Sequence, residues 1–240
     1  MMQEARYTYK SKARAQLVGK YSSVIPITLI FGLITFGISQ ISAELFGPTY
    51  EYVLTPFLHR EMIDPGQPAI VFLFDVLLFV IGAVILYSTT QMYIQTADNE
   101  KPVIEEILVV GIKEEPVRSI TLQFLISLFT ILWTLLLIIP GIVKSYAYSM
   151  SFYLLFRQPN LSATEAIEES KKITDGHKMD LFILDLSYIG WYILGIFTLG
   201  ILWFWIVPQH ATARTLYFKE IYDNLYATKN VFEEDTELNE

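Results

Sequence analysis

Three stretches of this chain, residues 21–43, 76–97 and 119–143, carry no Asp, Glu, Lys or Arg over 23, 22 and 25 positions. A bilayer core about 30 Å thick takes roughly 20 helical residues to cross. The chain is 53% hydrophobic, and its mean hydropathy is +0.41. A soluble domain of this size has no need of several uncharged runs that long. The pattern predicts a polytopic membrane protein whose solvent is lipid.

Composition excludes several functions. Cysteine is absent, so disulfides, thiolate metal sites and cysteine nucleophiles are ruled out. The net charge of −8 is concentrated near the end, at Glu233, Glu234, Asp235, Glu237 and Glu240. Residues 223–240 are therefore expected to form a solvated, disordered acidic tail. An acidic chain whose cations sit beside membrane segments offers no nucleic-acid surface. Arg6, Lys10, Lys12, Arg14 and Lys20 precede the first apolar run as they would in a signal peptide. That run is too long, however, and Ile41-Ser42-Ala43 is a poor cleavage site, so a retained first helix is expected.

Two blocks of 38 residues, 119–156 and 181–218, decide the number of crossings. One helix of that length would extend about 57 Å, far more than a single crossing needs. Each block also has a break near its middle, at Pro140 and Gly141 in the first and at Gly195 and Gly200 in the second. Reading both as tight hairpins puts 14 of the 17 Lys and Arg residues on one side of the membrane. By the positive-inside rule that side is cytoplasmic. The expected fold is thus an all-α polytopic membrane helical bundle in the cell membrane. It has six transmembrane helices at 22–44, 69–92, 119–140, 142–157, 181–197 and 201–218, with both termini inside. The domain reading is a basic amphipathic arm at 1–20, a six-helix domain at 21–222 and the acidic tail.

Between the spans, the arm interleaves its five cations with Tyr7, Tyr9, Ala13, Ala15, Leu17 and Val18. It either lies on anionic lipid of the inner leaflet or only sets topology. Pro102 and Pro116 bracket a short amphipathic interfacial helix in the loop 98–118. Ser162 and Glu165 form a capping box for a cytoplasmic helix at 162–175, whose apolar face is Ala163, Ala166, Ile167, Ser170 and Ile173 and which Gly176 ends. The outer loop 44–68 has four prolines, four aromatic residues and a net charge of −3. It is the expected place for a protein or peptide partner; membrane lipids are the other expected partners.

Ionisable groups inside spans are functional candidates by default. Here they are Asp75, Lys144, Asp185, His210 and Arg214. Depth pairs Asp75 with Lys144 in the outer third, and Asp185 with Arg214 nearer the cytoplasm. Such pairs hold helices together or, with His210 titrating near neutrality, line a polar path. Ser145/Ser149 and Ala147/Ser151 have small-xxx-small spacing, which marks close packing. Trp191, Trp203 and Trp205 mark interfaces or fill the bundle.

Catalytic and cofactor motifs are not found. His59-Arg60-Glu61 is not His-Glu-x-x-His. Glu105-Glu106 and Glu168-Glu169 resemble the paired glutamates of intramembrane prenyl-protein proteases. Those enzymes need an arginine four residues after the second glutamate, where Val110 and Ile173 stand. Asp175, His177 and Asp180 could chelate a metal, but Asp-Gly-His at a helix end reads more simply as a turn. Neither Gly-x-Ser-x-Gly nor a phosphate-binding glycine loop occurs.

Several pieces combine into one ordered pattern: Leu135 to Ile142 through Pro140-Gly141, then Tyr146 to Met150. Ser162-Ala163, Ala166-Ile167, Gly176-His177-Lys178, Leu186 to Trp191, Thr198 to Ile201 and Pro208 follow. This order resembles the bacterial membrane family catalogued as domain of unknown function 975. The segment Lys12-Ala13-Arg14 to Leu17 is similar to the start of that family, which extends the resemblance over about 10–225. It implies an integral membrane protein and transfers no activity, ligand or site residue.

The function expected from the sequence is non-catalytic: an envelope membrane protein that binds a lipid, peptide or protein partner. The alternative is a small transporter or export component that uses the buried charges.

Overall fold

The computed structural model describes residues 2–54, 58–64, 66–113 and 116–237. Its elements in chain order are α1 (Met2–Leu17), α2 (Tyr21–Phe46), β1 (Thr49–Leu54), β2 (Leu58–Asp64), α3 (Pro68–Ala97) and α4 (Ile104–Lys113). These are followed by α5 (Pro116–Leu136), α6 (Ile138–Tyr148), α7 (Ser151–Arg157), α8 (Ala163–Ile173), α9 (Lys178–Phe197) and α10 (Trp203–Glu237). The bundle is helical. In the outer segment β1 and β2 pair antiparallel, from Thr49 opposite Asp64 to Leu54 opposite Leu58. Thr-Tyr-Glu-Tyr-Val-Leu suits a strand because its β-branched and aromatic residues fit a pleated surface. The side-chain surroundings of the 49–65 part of the expected partner loop lie outside the described residues.

Among the described residues four helices, α2, α3, α5 and α9, are long and apolar enough to cross a membrane, with 26, 30, 21 and 20 residues. Only 6% of the most apolar window of α3 is buried, and 11% of that of α5. Leu33, Phe36, Phe72, Leu73, Leu135 and Leu136 all stand exposed. Apolar surface of that extent calls for lipid rather than water, and helices satisfy their own backbone groups there.

Two expected helices are divided differently. The first break falls at Leu137, which is extended (φ −159°, ψ 138°), and not at Pro140. A proline ring clashes with the carbonyl four residues earlier, here that of Leu136, so the chain must leave the helix before the proline. Pro140 itself sits in the first turn of α6, where its missing N–H costs nothing. Gly141 then lets α6 fold back on α5, since a Cβ there would lie 2.8 Å from the Thr134 Cα.

The expected span 142–157 is not one helix either. It breaks at Ser149–Met150 into α6 and α7. A side chain from α8 holds that break: the Ser170 hydroxyl donates to the Ala147 carbonyl at 2.8 Å and accepts from the Met150 N–H at 3.2 Å. The Thr174 hydroxyl also donates to Ala147 O, at 3.3 Å. Groups orphaned by the break are thus satisfied by α8. That helix opens with the capping box of Ser162 and Glu165.

Three buried clusters hold the bundle. One joins Tyr9 and Ala13 of α1 to Ile94, Met150, Tyr153, Leu184, Ala213 and Tyr217. A second joins Tyr87, Leu122, Tyr148, Phe152, Leu155 and Ile167. The third joins Leu17, Val24, Ile27, Met92 and Ile107. The arm α1 therefore spends its stripe Tyr9, Ala13 and Leu17 on protein and not on the lipid surface that was one of its two expected roles. These residues are spaced four apart and so share one helix face. At the other end, α10 continues to Glu237, so the acidic segment extends a helix as far as that residue; 238–240 lie outside the described residues.

Candidate functional site

The chain turns at Thr198 to Leu202, so α9 and α10 run antiparallel. A Schellman cap closes α9: Gly200 N–H reaches Gly195 O at 2.9 Å and Leu199 N–H reaches Ile196 O at 3.1 Å. Gly200 has φ +85°, a region that favours glycine. Gly195 is covered by Trp203, whose Nε1 would lie 2.0 Å from a Cβ there, and which donates to Tyr192 O at 3.1 Å. The turn fixes the register, and the register brings three sequence-predicted residues together.

Asp185 on α9 is their centre. His210 Nε2 lies 2.7 Å from its Oδ1. The Tyr146 hydroxyl, from α6, donates to Oδ2 at 2.9 Å, and Arg214 Nη1 is 3.6 Å from the same oxygen. His210 Nδ1 meets the Tyr192 hydroxyl at 3.0 Å. Its ring stacks on Tyr188, with centroids 4.6 Å apart and planes at 26°. Both ring nitrogens are used, Nε2 on Asp185 and Nδ1 on the Tyr192 hydroxyl. The carboxylate thus meets donors from three groups and leaves little capacity for a ligand.

Asp75 and Lys144 are not brought together. Asp75 is exposed on α3, whereas Lys144 places its ammonium 4.8 Å from the centroid of the Trp133 ring. The fold-back at Leu137 makes α5 the nearest neighbour of α6, and the lysine finds an aromatic face there.

A second charged node, which sequence reading missed, closes one end of the bundle. Asp98, just beyond α3, holds Arg157 of α7 at 2.6 Å and Lys219 of α10 at 2.5 Å. In the sequence these three charges stand 59 and 121 positions from Asp98 to its partners, and only their shared distance from span ends could have hinted at the pairing. Lys20 ties the α1–α2 turn to the same end, donating to Thr96 O at 3.3 Å and Asn99 Oδ1 at 3.0 Å.

A cleft of about 640 Å³ opens between α1, α8 and α10. Tyr9, Tyr217, Ile173 and Ile221 line it with apolar surface, and Glu169, Asp175 and Glu220 line it with carboxylates, Glu169 lying 3.3 Å from Lys172 and Glu220 3.9 Å from Lys12. His177 Nδ1 is 3.0 Å from the Tyr217 hydroxyl, which donates onward to Asp180 at 3.2 Å. So His177 and Asp180 are spent on a tyrosine, and among the described residues no group of three His, Cys, Asp or Glu could hold a metal. Lys178 donates to Asp175 at 2.9 Å and holds its carboxyl below the usual range. Burial, with the Glu220 carboxylate alongside, pushes the Tyr9 phenol up.

The described elements and their exposed apolar faces define the class: a helical protein of the membrane. Residues 134–225 match a family described as "Protein of unknown function (DUF975)", and the chain resembles that family over this segment. The match covers α6 to α9 and α10 as far as Leu225, with all three residues of the Asp185 cluster; it does not reach α1 to α4. No curated protein matches the chain, and no solved structure does.

Proposed function

We propose that this chain is a non-catalytic, multi-pass protein of the cell membrane that binds a polypeptide partner through the cleft between α1, α8 and α10. The partner segment carries basic and apolar side chains together. One observation carries this reading. The intramembrane carboxylate Asp185 is matched by His210, Arg214 and Tyr146 in the bundle, while the 640 Å³ cleft lies elsewhere and presents Glu169 and Glu220 beside apolar Ile173 and Ile221. Among the described residues their only ion-pair partners are the exposed Lys172 and Lys12, which a partner's cations can replace. A carboxylate rim around apolar surface attracts cations with aliphatic stems, as lysine and arginine have. Transport through the bundle has less support, because the carboxylate of Asp185 is already taken up by His210, Arg214 and Tyr146.

In this reading there are six crossings. The helices α6 and α7 together cover residues 138–157, about 30 Å of helix at 1.5 Å per residue, and act as the fourth. The first half of α10 is the sixth, and the turns at Leu137 and Thr198 to Leu202 are membrane hairpins. An even number of crossings leaves both ends on one side, the cytoplasmic one by the bias of basic residues.

The test uses the full chain in lipid nanodiscs and two fluorescent synthetic peptides, one alternating Lys and Ile, the other Glu and Ile. The basic peptide is expected to bind saturably, and about tenfold or more weaker to E169Q/E220Q, equivalent to 1.4 kcal/mol or more. Equal binding of both peptides, or no effect of the substitutions, would contradict the proposal.

A further inference from the structure

Among the described residues five buried side-chain oxygens have no hydrogen-bond partner; one is Thr130 on α5, and the other four are on Gln91 and Gln95 of α3, Ser151 of α7 and Thr212 of α10. Ser151 and Thr212 are 0% exposed and Gln91 is 9% exposed. These four are not scattered. Asp98 joins α3, α7 and α10 through Arg157 and Lys219, and all three helices approach that node in the direction of increasing residue number.

Gln91 lies seven residues before Asp98 and Thr212 seven before Lys219, each on the same helix face as its charged residue. Ser151 lies six before Arg157. At 1.5 Å per residue all three sit about 10 Å from the node along their axes.

The packing agrees. Gln91 lies between Tyr87 of one buried cluster and Ile94 of another, and Ser151 is flanked by Met150 and Leu154 of the second and Tyr148 and Leu155 of the first. Ala213 of α10, next to Thr212, belongs to the cluster that holds Ile94 and Met150. The orphaned oxygens therefore follow the seam between the two cores.

We propose that this seam is a binding site for internal water, with a short chain of water molecules bridging Gln91, Gln95, Ser151 and Thr212 above the Asp98 node. A buried polar group without a bond is costly, and a water making about three hydrogen bonds satisfies several at once. The donor set selects a neutral guest. Two cations already face one carboxylate at the node, which opposes a metal ion, and the amide and hydroxyl groups carry no charge to hold an anion. Being uncharged and buried, the site is distinct from the partner cleft and independent of it.

The experiment is water-edited solid-state NMR of the full chain in lipid, read at the Gln91 and Gln95 side-chain amides, with thermal unfolding of variants alongside. Magnetisation transfer from water to both amides is expected. It should fall to background at Gln91 in T212V, persist in T212S, and be accompanied by a lower unfolding midpoint in Q91L and T212V, because each breaks the bridge and strands the other partners. Absence of water transfer to Gln91 in the unsubstituted protein overturns the proposal. A raised midpoint in Q91L and T212V does so too, since relieving a dry, unpaired polar group would stabilise the bundle.

Discussion

His210 and Asp185 meet at 2.7 Å between two antiparallel helices, and everything around them serves that contact. Tyr192 takes the other ring nitrogen at 3.0 Å, Tyr188 stacks on the ring, and Tyr146 and Arg214 share the second carboxylate oxygen. The contact exists because the Schellman turn at Leu199 and Gly200 sets the register of α9 on α10. Burying a carboxylate is tolerable only when donors replace its water, and here they come from α6 and α10.

The break between α6 and α7 depends on Ser170. Replacing it with alanine removes both its bonds, leaving Ala147 O with only Thr174 and Met150 N–H without the hydroxyl. The S170A variant is expected to lose about 1–3 kcal/mol, measured as a lower unfolding midpoint. S170T, which keeps the hydroxyl, should lose less.

Gly111 sets how closely α4 approaches α3. Its N–H donates to the Ser88 hydroxyl at 3.2 Å, and a Cβ at this position would stand 2.6 Å from the Val84 carbonyl oxygen. G111A must push the helices apart, which costs about 1–3 kcal/mol. Faster backbone amide exchange confined to α4 and the facing turn of α3 is the expected signature. Unchanged exchange there would refute the close approach.

The cap of α8 makes its stability sensitive to acid. The Ser162 hydroxyl and backbone hold the Glu165 carboxyl below its usual range, with contacts of 2.7 and 2.8 Å. A carboxyl depressed in the folded state stabilises that state above its unfolded pKa, about 4.3, and loses the contribution as pH falls through the lower folded value. Carbonyl NMR titration of Glu165 should show the depressed midpoint, and S162A should move it up.

How much of this was legible follows from the range of each interaction. The long helices and the α8 cap could be read because uncharged runs and Ser162…Glu165 are local signals. Breaks were legible only roughly: Pro140 announced one, but its effect falls on the residues before it, at Leu137. The second break, at Ser149–Met150, has neither proline nor glycine and depends on Ser170 from another helix. Depth along the spans brought Asp185 and Arg214 near each other. For Lys144, depth pointed to Asp75, whereas the fold-back of α6 offered Trp133. Asp98 looked like an ordinary loop charge, since its partners come from α7 and α10.

The central claim is that Asp185, His210 and Arg214 are partners of one another and not the lining of a path. A double-mutant cycle on D185N and R214Q, followed by thermal unfolding in lipid, tests it most directly. Each single change is predicted to destabilise by about 2–4 kcal/mol, because each strands a partially buried partner. Together they should cost about 1 kcal/mol or more less than the sum. Effects that add to within about 0.5 kcal/mol would contradict the pairing and return the buried charges to the transport reading.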